Sequence, residues 1–335
     1  MASADLLDTL TPMIVPAILP WIAPVQSGMQ AVEARLRQAA ADEHILLTAV
    51  IDGLLRAGGK RVRPALCLLS AGSFDADFEN AVVVAAGIEL LHTATLVHDD
   101  LIDGASMRRS APTLNSTWDP DAAVLAGDYL FSRAANLVLQ AGDLKVMELF
   151  VRTLMVVLNG EIAQRFSRWQ IDRKEYYQRI YAKTAAMFVL AMQAPAILAQ
   201  AESELLEAIV EYGHDVGMAF QIVDDVLDIS GSIEQVGKPI GSDLRQGLFT
   251  LPAIIYAEAN PDDADLLVVL NERDGNHPAI ERLIEKVRRA GAVEAAMEEA
   301  RRLAAQGQSA LARLPDSVYV SGMFALAETV VKRQG

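Results

Sequence analysis

Two stretches of this chain, 125 residues apart, repeat one pattern: a largely apolar helical run that ends in Asp-Asp-x-x-Asp. The first is Asp99-Asp100-Leu101-Ile102-Asp103, after a run almost wholly apolar from Ala81; the second is Asp224-Asp225-Val226-Leu227-Asp228, with Gln221 one turn earlier. Carboxylates at a helix C-terminus face the negative end of the helix dipole and need a compensating cation. Residues four apart stack on one helical face about 6 Å apart along the axis, so Asp99 and Asp103 can grip the same hard ions while Asp100 points partly away. His92 lies two turns before Asp99 and shares that face. One such cluster in an acidic chain is often only a solvated helix end. Two matched copies constrain more. If the helices pack side by side, six carboxylates converge, and several Mg²⁺ ions that also bind substrate phosphates relieve their repulsion.

Beyond residue 30 the pattern is helix after helix, rich in Ala, Leu, Glu, Gln and Met, with aromatics at 6% and few alternating β-branched runs. The expected fold class is all-α, a single large helical bundle, with helices over 30–57, 61–72, 78–103, 121–141, 144–170, 173–200, 203–230, 250–258, 278–290, 292–313 and 317–333. Breaks fall at 58–59, 106–119, 231–247 and 260–263, where Gly, Pro, Asn, Asp or Ser cluster. None reads as an interdomain linker, so 1–29 is expected as a proline-rich apolar arm and 30–335 as one domain. In the arm, Pro12, Pro16, Pro20 and Pro24 recur every fourth residue and exclude a lipid-spanning helix. The first basic residue is Arg35, which argues against a secretory signal and for a cytoplasmic protein. The arm is expected to pack on its own domain or a partner subunit, with shallow membrane contact the alternative.

A formal charge of -15 on a chain that is 52% hydrophobic excludes disorder and makes nucleic acid an unsuitable partner. The one cysteine, Cys67, reads as a small core residue in a reducing compartment. Against this acidic background, cations recur beside loop glycines and acidic clusters. Lys60, Arg61 and Arg63 follow Gly58-Gly59, Arg108 and Arg109 follow the first cluster, and Lys183 and Lys238 stand further on. Any one alone is an ordinary surface charge; together they read as diphosphate clamps.

Six segments in order, Gly58-Gly59-Lys60-Arg61-Val62-Arg63-Pro64, ELLHTATLVHDDLID from Glu89, Met107-Arg108-Arg109, Lys183-Thr184, FQIVDDVLD from Phe220 and GKPIGSDLRQGLFTLP from Gly237, resemble those of trans-polyprenyl diphosphate synthases. The resemblance spans about residues 30 to 333. It implies helices around a central apolar cavity, usually a homodimer, and condensation of isopentenyl diphosphate with an allylic diphosphate primer. It implies that Lys60, Arg63, His92 and Arg109 hold isopentenyl diphosphate. Arg108, Lys183 and Lys238 would hold the primer's diphosphate, with Mg²⁺ on Asp99, Asp103 and Asp224. Asp225 and Asp228 would orient water and metal from behind. Lone pairs near Lys183, Thr184 and Gln221 would stabilise the allylic cation, and released diphosphate would accept the final proton.

A growing prenyl chain needs a dry tunnel. Ala94 and Thr95, five and four positions before Asp99, are small, and Gly87 is smaller still, so nothing resembles the bulky floor of short-product members; by the family's ranges, the resemblance then implies products of C30 to C50, with C20 the runner-up. The alternative is that these small residues merely permit close helix packing. Met155, Met187 and Met192 read as core filler. Transient membrane contact is expected at product release. A class I terpene cyclase, a weakly active subunit of a heteromeric synthase and a Ca²⁺-binding helical protein are the other classes; the first has no need of a second clamp, and the last lacks an Asp-x-Asp-x-Asp-Gly loop. The chain departs from the family at Leu248, where a lysine is usual, and Arg245, three residues earlier, is the expected substitute cation.

Overall fold

The computed structural model describes residues 19–41, 61–108, 111–231 and 240–332. Lys60, Arg109 and Lys238, and residues 1–18 of the arm, lie outside the described residues. Apart from a two-stranded antiparallel hairpin, β1 (Met107–Arg108) and β2 (Ala111–Pro112), all regular structure described is helical. The all-α expectation is met.

The helices in chain order are α1 (Gln26–Ala41), α2 (Val62–Ser73), α3 (Phe78–Ile102), α4 (Leu114–Thr117), α5 (Pro120–Gln140), α6 (Leu144–Phe166), α7 (Arg173–Ile180), α8 (Ala186–Leu198), α9 (Ser203–Ser230), α10 (Ser242–Arg245), α11 (Leu251–Ala259), α12 (Ala264–Glu272), α13 (Pro278–Arg289), α14 (Ala292–Ala310) and α15 (Val318–Val331). A π-helical turn, Tyr181–Ala185, joins α7 to α8.

Helix starts follow capping chemistry. Asp77 accepts from the Asn80 N–H at 2.8 Å, and Asp119, followed by Pro120, accepts from Ala122 at 2.7 Å. Asp263, the last residue of the expected break, does the same for α12, a helix absent from the expected set. From Ala81 to Leu91 every residue of α3 is buried, as a central helix requires. The most apolar stretches of α3 and of Arg173–Leu198 are mostly buried inside the bundle, so these long apolar segments are core helices.

Around α3 pack α1, α2, α5 and α8, while α9 packs on α8, α14 and α15. Small residues set the closest approaches. A Cβ at Gly87 would lie 2.6 Å from Val138 Cγ2 and 3.0 Å from the Ala134 carbonyl, so this glycine belongs to the α3–α5 contact; the reading of Gly87 as open tunnel gives way to packing. Met187 and Met192 are core residues, but Met155 is 58% exposed and corrects the filler expectation.

Described residues of the N-terminal segment join the same core. Trp21 is 2% exposed, and Pro24 and the Trp21 carbonyl lie beside Gly322 of α15. Cys67 is fully buried, its thiol facing the Ala81 carbonyl at 3.7 Å, and burial pushes its pKa far up, so it is inert packing.

Candidate active site

The first acidic cluster closes α3. Asp103 caps the helix, its N–H bonding the Asp99 carbonyl at 2.8 Å, with Asp103 exposed and Asp99 partly buried. Asp100 turns inward and is 7% exposed; Arg108 Nε donates to both its oxygens at 2.8 Å. The middle aspartate thus anchors Arg108 on β1 beside the helix end. Burial pushes the Asp99 carboxyl up to about 7, with Lys183 and Arg108 pulling down against Glu161 and Asp103.

Lys183 and Thr184 come from the π turn, where two glycines give the bulged backbone room. A Cβ at Gly160 of α6 would lie 2.4 Å from Ala182 Cβ, and one at Gly217 of α9 would lie 2.7 Å from Ala185 Cα. Single π turns are rare and cluster at functional sites. Lys183 Nζ lies 3.4 Å from Glu161 Oε1. Burial would lower the Lys183 pKa, but Glu161, Asp99, Asp243 and Asp103 outweigh it and raise it, so the ammonium stays charged.

Those four carboxylates come from α6, α3 and α10, and α10 is fastened to the second acidic cluster. Asp228, 1% exposed, accepts from Ser242 Oγ at 2.7 Å and from the Asp243 N–H at 3.2 Å, and its carbonyl accepts from Gly241 at 2.7 Å. Gly241 turns at φ 69°, the left-handed region glycine tolerates. Asp225, 4% exposed, accepts from Gln221 Nε2 at 2.8 Å and Tyr176 Oη at 2.7 Å. Burial, with Asp243 nearby, raises its pKa to about 7. Thr184 Oγ1 donates to Gln221 Oε1 at 2.5 Å. Asp224 is the partly exposed member of this cluster. The two helix ends therefore meet through Lys183 and Asp243.

Among the described residues no three acidic, histidine or cysteine side chains gather tightly enough to hold an ion alone. The donors are nevertheless hard oxygens, and the cost of burying Asp99 as an anion is what an incoming cation relieves. That donor set fits ions which keep water and complete their shells with substrate oxygens. Arg63 stands over the Phe188 ring, 5.5 Å to the centroid, one turn past Thr184. His92 is partly exposed, its carbonyl taken by the Thr95 hydroxyl at 2.8 Å.

Two readings are corrected. Arg61, with φ 47°, is not a clamp: its Nε reaches Glu33 and its Nη1 reaches buried Glu89, each at 2.8 Å, bridging α1 to α3. Arg245 does not substitute for a lysine at 248; Arg245 Nη1 pairs with Glu281 of α13 at 2.5 Å, and Leu248 is buried at 7% exposure. Glu161, Asp243 and Tyr176 were not singled out from the sequence. Asp243 lies within a segment that carried the resemblance, while no pattern in the sequence separates Glu161 or Tyr176 from surface and core residues.

An all-α bundle in which two acidic helix ends flank a turn bearing a charged lysine fits the class of divalent-metal enzymes that act on diphosphates. The sequence pattern of the polyprenyl synthetase family matches residues 44–287, and the chain belongs to that family. Its activity is that of a chain-elongating prenyltransferase. Heptaprenyl diphosphate synthase component 2 of Bacillus subtilis is 33% identical over 92% of this chain and 89% of its own. Octaprenyl diphosphate synthase of Escherichia coli is 34% identical over 84% of this chain and 88% of its own. The crystal structure of a polyprenyl synthase from Caulobacter crescentus, complexed with calcium and isoprenyl diphosphate, superposes with a TM-score of 0.89 at 31% identity, covering 94% of this chain and 98% of that one.

Proposed function

We propose that the protein condenses isopentenyl diphosphate head-to-tail with an allylic diphosphate to give all-trans products of C30 to C50, using Mg²⁺. The observation that carries this reading is the meeting of both acidic helix ends at Lys183. Asp99 and Asp103, with Asp224 opposite, are the residues that would hold Mg²⁺. Bound there, Mg²⁺ supplies positive charge against the departing diphosphate.

The chain's own groups do the rest. Lys183, held charged by its acidic neighbours, neutralises diphosphate oxygens as the allylic C–O bond ionises, and Arg108, anchored by Asp100, adds a second positive charge. Thr184 and Gln221 face the resulting cation with oxygen lone pairs. The isopentenyl double bond attacks that cation, and the proton lost from the adduct goes to released diphosphate, so no side-chain base is needed. Arg63 and His92, with Lys60 and Arg109, are assigned to the isopentenyl diphosphate, and Lys238 to the primer.

The names of the hepta- and octaprenyl relatives favour the longer products over C20. We assign a second copy of the chain to the outer face of α6, where Val151, Met155, Leu158, Ile162 and Phe166 form an exposed apolar stripe at helical spacing. The Bacillus relative's designation as a component makes a different partner subunit the competing occupant. Light scattering of purified protein, with and without Ile162→Glu, separates these: a dimer that the charge splits supports self-association, and a wild-type monomer refutes it.

A further inference from the structure

Tyr176 is fully buried, and none of the roles above uses it. Its hydroxyl donates to Asp225 Oδ2 at 2.7 Å; Asp225 Oδ1 accepts from Gln221 Nε2 at 2.8 Å; Gln221 Oε1 accepts from Thr184 Oγ1 at 2.5 Å. Four side chains from α7, α9 and the π turn thus form one directed chain that ends beside Lys183. Its direction has a chemical consequence. A primary amide has a donor end and an acceptor end of nearly equal size, and only its neighbours decide which way it faces. A carboxylate that accepts on both oxygens demands the NH₂ end of Gln221, which turns Oε1 toward Thr184. The Thr184 hydrogen is then committed to Gln221, and its remaining lone pair is presented to the site. The turned-over amide would instead donate to Thr184 and send the hydroxyl hydrogen toward the reacting carbon, the wrong sign for a cation.

The phenol is well placed to hold this arrangement. Arg179 stacks on the Tyr176 ring, 5.5 Å to the centroid, while its Nη2 donates to the Phe249 carbonyl and its Nη1 to Glu175, each at 2.8 Å. The ring therefore cannot swing without disturbing the segment that leads into α11. We propose that Tyr176 is a positioning residue, its hydroxyl fixing the Asp225 carboxylate, and through it the amide orientation of Gln221, so that Thr184 offers oxygen rather than hydrogen to the allylic cation. This rests on the function proposed above.

The test is a double-mutant cycle. Tyr176→Phe keeps the ring and is expected to lower kcat about tenfold, the scale of one lost hydrogen bond expressed in a transition state. The KM values for both diphosphates are expected to stay within about twofold, because no substrate contact is removed. In a Thr184→Val background, where the end of the chain is gone, Tyr176→Phe should change kcat by less than about twofold. In Thr184→Ser, which keeps the hydroxyl, the tenfold sensitivity should return. Losses that multiply in the Thr184→Val background, or a wild-type kcat in Tyr176→Phe, would overturn the proposal. A stability cycle between Tyr176→Phe and Gln221→Met distinguishes the two readings. Coupling there, in a wild-type protein that condenses nothing, would overturn the proposed function and the catalytic part of this inference together. Additive stability effects in an active enzyme would overturn the hydrogen-bonded chain alone.

Discussion

Asp99→Asn should make the metal-free protein more stable while nearly abolishing its activity. The folded site raises the Asp99 carboxyl from 3.8 to about 7, chiefly by burial. A group whose folded pKa lies above its unfolded value favours folding when protonated, so its penalty begins above about pH 4, grows as pH rises, and is complete above about pH 7. At about 1.4 kcal/mol per pH unit, the penalty is on the order of 4 kcal/mol at pH 8 and on the order of 2 kcal/mol at pH 5. Asparagine carries no charge to bury, and Lys183 retains Glu161, Asp243 and Asp103 as neighbours. The variant's gain in stability should therefore be larger at pH 8 than at pH 5, by about 2 kcal/mol, a few degrees of Tm for a chain of this size. Thermal unfolding in chelator at the two pH values measures it. A destabilised variant at pH 8, or a gain independent of pH, would refute the argument that burial of this charge stores the drive for cation binding. Turnover at saturating Mg²⁺ should fall by orders of magnitude in Asp99→Asn and in Asp103→Asn with unchanged circular dichroism, and wild-type turnover in either would remove that residue from the metal site.

Other outcomes follow from contacts. Mg²⁺ with inorganic diphosphate should raise the wild-type Tm more at pH 8 than at pH 5.5, and not at all in Asp99→Asn/Asp103→Asn, by thermal shift. Gly160→Val should displace the π turn through Ala182 and cut kcat far more than it lowers Tm, by paired kinetics and calorimetry. Arg245→Ala should leave the primer's KM unchanged, since it loses only the Glu281 ion pair, worth under about 1 kcal/mol at a partly exposed site; a raised KM would restore it to the diphosphate site. Ala94→Phe should shorten the products resolved by chromatography, and an unchanged distribution would place the tunnel floor elsewhere.

The helices were legible because apolar periodicity and clustered turn residues are local signals, and α3 and α9 stand where the two acidic motifs require. Asp99 and Asp103 stood out as a pair four residues apart at a helix end, whereas the role of Lys183 was marked only through the resemblance to a known family. The π turn was not: its bulge is set by the close approach of Gly160 and Gly217 from helices distant in sequence. Glu161 reads as a surface acid until α6 is packed beside that turn, and Tyr176 as a core aromatic until its hydroxyl meets Asp225. Arg61 misled because its charge looks like its neighbours', whereas its left-handed backbone aims it at Glu33 and Glu89. Gly87 and Met155 show the same limit in the apolar positions, since size and hydrophobicity do not say whether a neighbouring helix, a tunnel or another subunit lies opposite.

The most direct measurement is incubation of purified wild-type protein with radiolabelled isopentenyl diphosphate, each of the C10, C15 and C20 allylic primers, and Mg²⁺, followed by sizing of the dephosphorylated products. The account predicts Mg²⁺-dependent all-trans products of C30 to C50. Products that stop at C20 would contradict the chain-length reading, and no incorporation with any primer would contradict the proposal that this site, in this chain alone, elongates a prenyl diphosphate.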